Sequence, residues 1–340
     1  MAFKSENFSL SGPLHLTTVD WANAHYCRTV AACLVHGVYI LEQDRRQNRK
    51  GHESLAPPWW KFFHFHLFDQ FIGRFSIFGA IFEFRPPRSN NHPSNKIAPR
   101  YVIAFRGTII KLDSFFGDMA LDILIIRNGL HKTSHFEIGM QAVRNMVTTL
   151  GASNVWLAGH SLGSAMAMLV GKNMAKTGVF LQTFLFNPPF VSAPYDDQNI
   201  KSKKLQNGIR KARRFITAGL TVAMKGHSQK SGSEDPFVIL SPWVPSLFVH
   251  PTDNICSEYV GYFAQRKKME KIGASGIEKL ATQNSIVGLL LVKKESEPLH
   301  LLHSASLTIN LSQAPNLWEA HALCQWWIPD QHLQCNLYQY

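Results

Sequence analysis

Apolar positions along this chain fall into short continuous runs separated by longer stretches with helical spacing. Tyr101–Phe105 (YVIAF) is a short apolar strand running into Arg106-Gly107-Thr108. Residues 136–150 place Phe136, Met140, Val143, Val147 and Leu150 at helical intervals and stop at Gly151. Val155–Ala158 is again a strand, Leu162–Lys176 an alanine- and methionine-rich helix closed by Gly178, and Val179–Phe186 a strand ending at Asn187-Pro188-Pro189. Strand and helix in strict alternation predict an α/β fold, a mostly parallel sheet with helices on both faces. Around this centre, residues 15–42 are expected to be a helix capped by Thr17, Thr18 or Asp20. Residues 74–84 are β-branched and aromatic enough for a strand, and residues 201–225 form a basic helical stretch. Further strands are expected near 237–240 and 246–250, then at Ser306–Leu311, before a tryptophan-rich helix near 317–327. Pro57–Phe68 (PPWWKFFHFHLF) is unusually aromatic for a loop, and residues 85–100 resemble a surface excursion.

Composition narrows the class. At 340 residues and 45% hydrophobic the chain can bury a large core, which excludes intrinsic disorder. No linker or internal repeat divides it, so residues 1–340 are expected to form a single domain. Lys+Arg exceed Asp+Glu by 35 to 23, a net charge of +12. The excess gathers in Asp44–Lys50, Lys201–Arg214 and Gln265–Lys271, which suit solvated faces or attraction to an anionic membrane. No nucleic-acid motif accompanies them, so no nucleic-acid partner is expected. Five cysteines (Cys27, Cys33, Cys256, Cys324, Cys335) have neither disulfide-framework nor zinc spacing. The N-terminus lacks the apolar core of a secretory signal, and the longest aliphatic stretch, Ile286–Val292, is too short to span a bilayer. A cytoplasmic protein with peripheral membrane contact is the expectation.

Gly159-His160-Ser161-Leu162-Gly163 is the only GxSxG in the chain. Three fixed residues carry little weight alone, but here a strand precedes the serine and a helix follows at once. That context is what a nucleophile elbow needs. Gly159 and Gly163 leave room for the tight turn, and the helix N-terminus aims N–H groups at a developing oxyanion. The fold expected is thus the α/β-hydrolase fold, with Ser161 as nucleophile. A serine hydroxyl needs a histidine to remove its proton and an acid to orient that histidine, here in the chain order Ser, acid, His. Of the sixteen histidines this leaves His300, His303, His321 and His332. Asp253 follows an apolar strand and is favoured over Asp235 and Glu258. His321 lies beyond the last strand and is favoured over His303 and His332, although it also suits a core position beside Leu317 and Trp318.

Phe105-Arg106-Gly107-Thr108, the Gly-His-Ser-Leu-Gly block about fifty residues on, and an Asp after a strand together resemble a class 3 (fungal-type) lipase. The resemblance spans roughly residues 100–255. The nearest variant is a plant subgroup with a C-terminal Ala-His and Gln-Trp-Trp, here Ala320-His321 and Gln325-Trp326-Trp327. Its members are sometimes labelled GDSL esterase/lipase, although this chain has no GDSL block. The resemblance implies a triad of Ser161, Asp253 and His321, and an oxyanion hole from the N–H groups of Thr108 and Leu162. It implies ester hydrolysis on an acyl-lipid-like substrate, with no metal or organic cofactor. The chain departs from the family at Phe186-Asn187-Pro188-Pro189, where Gly-x-Pro-Arg is usual, and at Asp253-Asn254-Ile255-Cys256, where Pro-Val is usual. The expected His-x-Gly is spread over His135–Gly139.

Lipases of this type commonly shield the serine with an amphipathic lid, expected here at residues 109–126. The aromatic run Trp59–Phe68 is either a second interfacial surface or ordinary core. A non-catalytic interaction protein and an acyltransferase using the same serine both remain compatible with these residues. Acyl length, head group and oligomeric state are not encoded in any motif.

Overall fold

The computed structural model describes residues 6–74, 76–86, 97–109, 129–190, 239–271 and 299–339. Eight strands of the described residues form one sheet in sequential order, β1 to β8. β1 (Phe65–Ile72), β2 (Ile77–Phe84) and β3 (Tyr101–Phe105) are antiparallel neighbours. From β3 through β4 (Val155–His160), β5 (Gln182–Phe186), β6 (Ser246–Val249) and β7 (Ala305–Asn310) every pairing is parallel. β8 (Leu333–Tyr338) closes the far edge antiparallel to β7.

The inner strands are apolar on both faces, because both are covered. On one face Ile103, Phe105, Leu157, Leu185, Leu247 and Val249 pack under α2 (Ser134–Leu150), α3 (Leu162–Ala175) and α4 (Glu258–Lys271). On the other, Val102, Ala104, Trp156, Ala158, Phe184, Phe186 and Phe248 meet α1 (Ala24–Arg46) and the C-terminal tryptophans. Period-two alternation along each strand sends neighbouring residues to opposite cores. A mostly parallel sheet, helices on both faces and a serine turn between β4 and α3 make this an α/β-hydrolase fold.

Several expectations shift. The helix expected at 15–42 runs Ala24–Arg46, and its cap is Asn23, whose side chain accepts from the N–H groups of His25 and Tyr26. The last four residues of the aromatic run, Phe65–Phe68, open strand β1, which is hydrogen-bonded to β2. The earlier part of the run is core: Trp59, Trp60 and Phe63 are buried, so large aromatic area is withdrawn from water rather than presented to lipid. The last helix stops at His321 as α5 (Leu317–His321), followed by a 3₁₀ turn at Leu323–Trp326 and then β8. The lid expected at 109–126, apart from Ile109, and the basic run Lys201–Arg214 lie outside the described residues, as does Asp235.

Candidate active site

β4 delivers Ser161 at the end of the sheet's central ladder. The serine has φ 55° and ψ −125°, a conformation that side-chain-bearing residues rarely adopt, and α3 begins at the next residue. Its N–H donates to the Phe186 carbonyl of β5 at 3.0 Å, and its carbonyl accepts from Ser164 at 2.9 Å. The turn is so tight that a Cβ on Gly159 would lie 2.2 Å from the Gly163 carbonyl oxygen. A Cβ on Gly163 would lie 2.3 Å from the carbonyl oxygen of Phe105. Both glycines are therefore demanded by backbone, which cannot step aside.

Leu162 is the first residue of α3, and Thr108 follows Gly107, which abuts the serine: a Cβ there would lie 2.9 Å from Ser161 Cβ. The Gly107 N–H donates to the Tyr39 hydroxyl at 2.7 Å. Arg106, the preceding residue, is buried and ties the strand end to its neighbour through Nε donating to the Ile77 carbonyl at 2.6 Å.

Asp253 lies in the turn after β6 and is wholly buried. His321 ends α5 and is likewise buried, and its Nδ1–H donates to Asp253 Oδ2 at 2.8 Å. Burial alone would push the Asp253 carboxyl up. The His321 ring, the Asn187 amide and the Cys256 thiol outweigh it and hold the group below the ordinary carboxylate range. Ile255 N–H donates to the other oxygen at 3.1 Å. Asp253 is thus an ionised, multiply bonded carboxylate aimed at the Nδ1 edge of the imidazole. The competing residues stand elsewhere: Glu258 is exposed at the start of α4, His332 is exposed beside β8, and His303 is buried ahead of β7.

Three further side chains, none proposed from the sequence, join the serine side to the histidine side. His160, the neighbour of Ser161, has its ring centroid 4.9 Å from that of His321. The Tyr39 hydroxyl accepts from Gly107 and donates to His160 Nδ1 at 2.9 Å, so His160 Nε2–H is the donor to the His321 carbonyl at 2.8 Å. Burial, then the adjacent His321 ring, push His160 down to about 3, and it stays neutral. Asn187, at the end of β5, donates from Nδ2 to Asp253 Oδ2 at 2.7 Å. These partners come from chain segments far apart in sequence, so no local pattern could reveal them. Among the described residues no cluster of three His, Cys, Asp or Glu side chains is arranged to hold a metal ion.

A family model for class 3 lipases matches residues 102–195, from β3 past β5. A GDSL esterase/lipase of Arabidopsis thaliana, At4g10955, is 49% identical over 352 residues, covering 100% of this chain and 99% of the relative. Among solved structures, a lipase from Rhizopus microsporus var. chinensis is similar at 16% identity and a TM-score of 0.32, covering 50% of this chain and 60% of that one.

Proposed function

Given that the chain belongs to the class 3 lipase family, a family of carboxylic ester hydrolases, we propose that it cleaves acyl-lipid-like esters through an acyl-enzyme on Ser161. The observation that carries this reading is the buried 2.8 Å hydrogen bond from His321 Nδ1 to Asp253 Oδ2, beside a strained serine on a strand-to-helix turn. In the proposed reaction His321 Nε2 takes the proton of Ser161 Oγ as that oxygen attacks the acyl carbon. Asp253 keeps the proton of His321 on Nδ1 and stabilises the imidazolium that forms. The N–H groups of Thr108 and Leu162 receive the oxyanion, and the imidazolium then protonates the departing alcohol. Water repeats the sequence to free the acid. The relative from Arabidopsis is named an esterase/lipase, which supports an ester substrate with a lipid-like acyl group.

No described helix is long and apolar enough to cross a membrane. The net charge of +12 supports peripheral attraction to anionic lipid surfaces, where such substrates reside. All five cysteines are outside disulfides, which suits a reducing compartment.

Labelling by a fluorophosphonate, which traps an activated serine, tests the assignment. Wild type is expected to label, and Ser161→Ala and His321→Ala to lose labelling. Loss in Ser161→Ala alone would move the base to another histidine, and no labelling of folded wild type would overturn the enzyme reading. Hydrolysis of p-nitrophenyl esters of increasing acyl length then ranks the acyl preference.

A further inference from the structure

The tetrad of residues that departs from the family pattern, Phe186-Asn187-Pro188-Pro189, puts an asparagine against the acid. Asn187 is wholly buried and has φ 47°, a left-handed backbone that Asn tolerates better than most side chains. Its N–H extends the sheet by donating to the Phe248 carbonyl at 2.9 Å. Its side chain meets three other segments. Nδ2 donates to Asp253 Oδ2 at 2.7 Å and to the Ala320 carbonyl at 3.1 Å, and Oδ1 accepts from Trp326 Nε1 at 2.7 Å.

The orientation of that amide is unambiguous on chemical grounds. An indole nitrogen only donates, so Oδ1 must face Trp326. The NH₂ group is then aimed at two acceptors, the carboxylate and the carbonyl just before His321. The Ala320 carbonyl also accepts from Gln325 Nε2 at 2.7 Å, while Gln325 Oε1 accepts from Asn310 Nδ2 of β7 at 3.1 Å. Gln325 and Trp326, the first two residues of the Gln-Trp-Trp block, therefore act on the histidine loop and on Asn187 in concert.

We propose that Asn187, with its amide oriented by Trp326, is a positioning residue that fixes the Asp253 carboxylate and the Ala320–His321 backbone relative to each other. The inference rests on the assignment of Asp253 and His321 to the triad. Asp253 Oδ2 divides its negative charge among His321 Nδ1, Asn187 Nδ2 and the Cys256 thiol at 3.1 Å. Removing the amide leaves the carboxylate freer to attract an imidazolium, and at the same time loosens the loop that bears the ring. Two consequences follow together: turnover falls, because a small misplacement of the base is costly, and the acidic limb of the pH–rate profile moves to higher pH. The other groups facing the pair are His160, tilted against the His321 ring at a centroid separation of 4.9 Å, the Cys256 thiol, pushed well up by burial and by Asp253, and His250, pushed down by burial. Tyr39 lies behind His160, and Glu319, on α5 itself, is exposed.

The test is kcat, KM and the pH profile for a p-nitrophenyl ester in Asn187→Gly, Trp326→Phe and Asp253→Asn. Glycine keeps the left-handed backbone and removes only the amide. Asn187→Gly is expected to lower kcat roughly 10- to 100-fold, to leave KM nearly unchanged, and to shift the acidic limb upward. Trp326→Phe, which deletes the donor that orients the amide, is expected to move both readouts in the same direction by less. A folded Asn187→Gly with a wild-type pH limb and kcat would overturn the proposal. Should that variant fail to fold, wild-type kcat and pH limb in Trp326→Phe would overturn it instead. Full activity in Asp253→Asn would remove the triad reading itself and this inference with it. Loss in Asp253→Asn without loss in Asn187→Gly would remove this inference alone.

Discussion

His160 occupies the position before Ser161, the proposed nucleophile, and has one solution to its hydrogen bonding: Nδ1 accepts from Tyr39 and Nε2–H donates to the His321 carbonyl. A protonated ring would lose the first of these bonds and face the His321 ring, which is why burial and that neighbour push it down to about 3. The unfolded chain takes up a proton near the ordinary value of 6.5, whereas the folded chain does not until about 3. The contribution to stability is therefore complete above 6.5 and is lost as pH falls through that window. In His160→Asn the pH dependence of the unfolding free energy between those limits is expected to flatten by up to ~1.4 kcal/mol per pH unit, the value of one proton. Denaturant titrations across the window measure it, and an unchanged slope would mean that the ring is not held neutral. Ser161 was legible because the elbow's demands fall within five consecutive residues. Asp253 and His321 were legible only through chain order and strand ends, with rivals left standing. Tyr39 gave no signal and Asn187 only a departure from the family pattern with no role attached, since their partners lie 121 and 66 positions away.

The strand–serine–helix unit places the chemistry, and its tolerance is set by backbone meeting backbone. Gly163→Ala would drive a Cβ to 2.3 Å from the Phe105 carbonyl oxygen and 2.7 Å from the Arg106 carbonyl carbon. Either α3 or the end of β3 must shift, and the latter leads directly into Gly107 and Thr108. The substitution is expected to cost about 1–3 kcal/mol in stability and to abolish fluorophosphonate labelling even where the variant stays folded. Thermal unfolding and labelling read the two effects separately, and wild-type labelling would show that the turn has more room than its geometry implies. The inner strands were plain in the sequence because being buried on both faces makes them short, continuous apolar runs. The edge strands were not. In β1 only Phe65 and Phe71 are buried and the intervening residues are exposed, so no alternation marks it. β8 is polar enough to pass for a tail, and it paired with β7 only once the tryptophan-rich stretch broke after His321.

At the scale of the molecule, the sheet separates two cores, and the second is dominated by aromatic rings from both ends of the chain. Trp59 packs edge-on to Phe8 at 5.1 Å and against Trp327 at 5.4 Å, and its Nε1–H donates to the Glu6 carbonyl at 3.0 Å. Arg28 adds Nε to the Trp326 carbonyl at 2.8 Å. N-terminal segment, α1 and Gln-Trp-Trp block are thereby fastened behind His321, the proposed base. Two of the basic runs are also engaged in structure. Arg45 and Arg46 pair with Glu42, Arg49 bridges Glu6 and Asp44, and Arg266 donates to the Leu302 carbonyl from between Tyr262 and Phe263. Sequence alone left Trp59–Phe68 divided between core and lipid interface, because aromatic composition is the same in both; only the chain's far end, arriving as Trp326 and Trp327, decides which face is covered. Trp59→Ala is accordingly expected to cost about 3–5 kcal/mol in denaturant unfolding, while leaving binding of the folded protein to anionic vesicles unchanged. Sedimentation with phosphatidylserine-containing vesicles measures the second quantity. Undiminished stability with lost vesicle binding would return this run to the lipid interface. Lost stability with retained, salt-sensitive binding would leave charge, rather than aromatic area, as what draws the protein to a membrane.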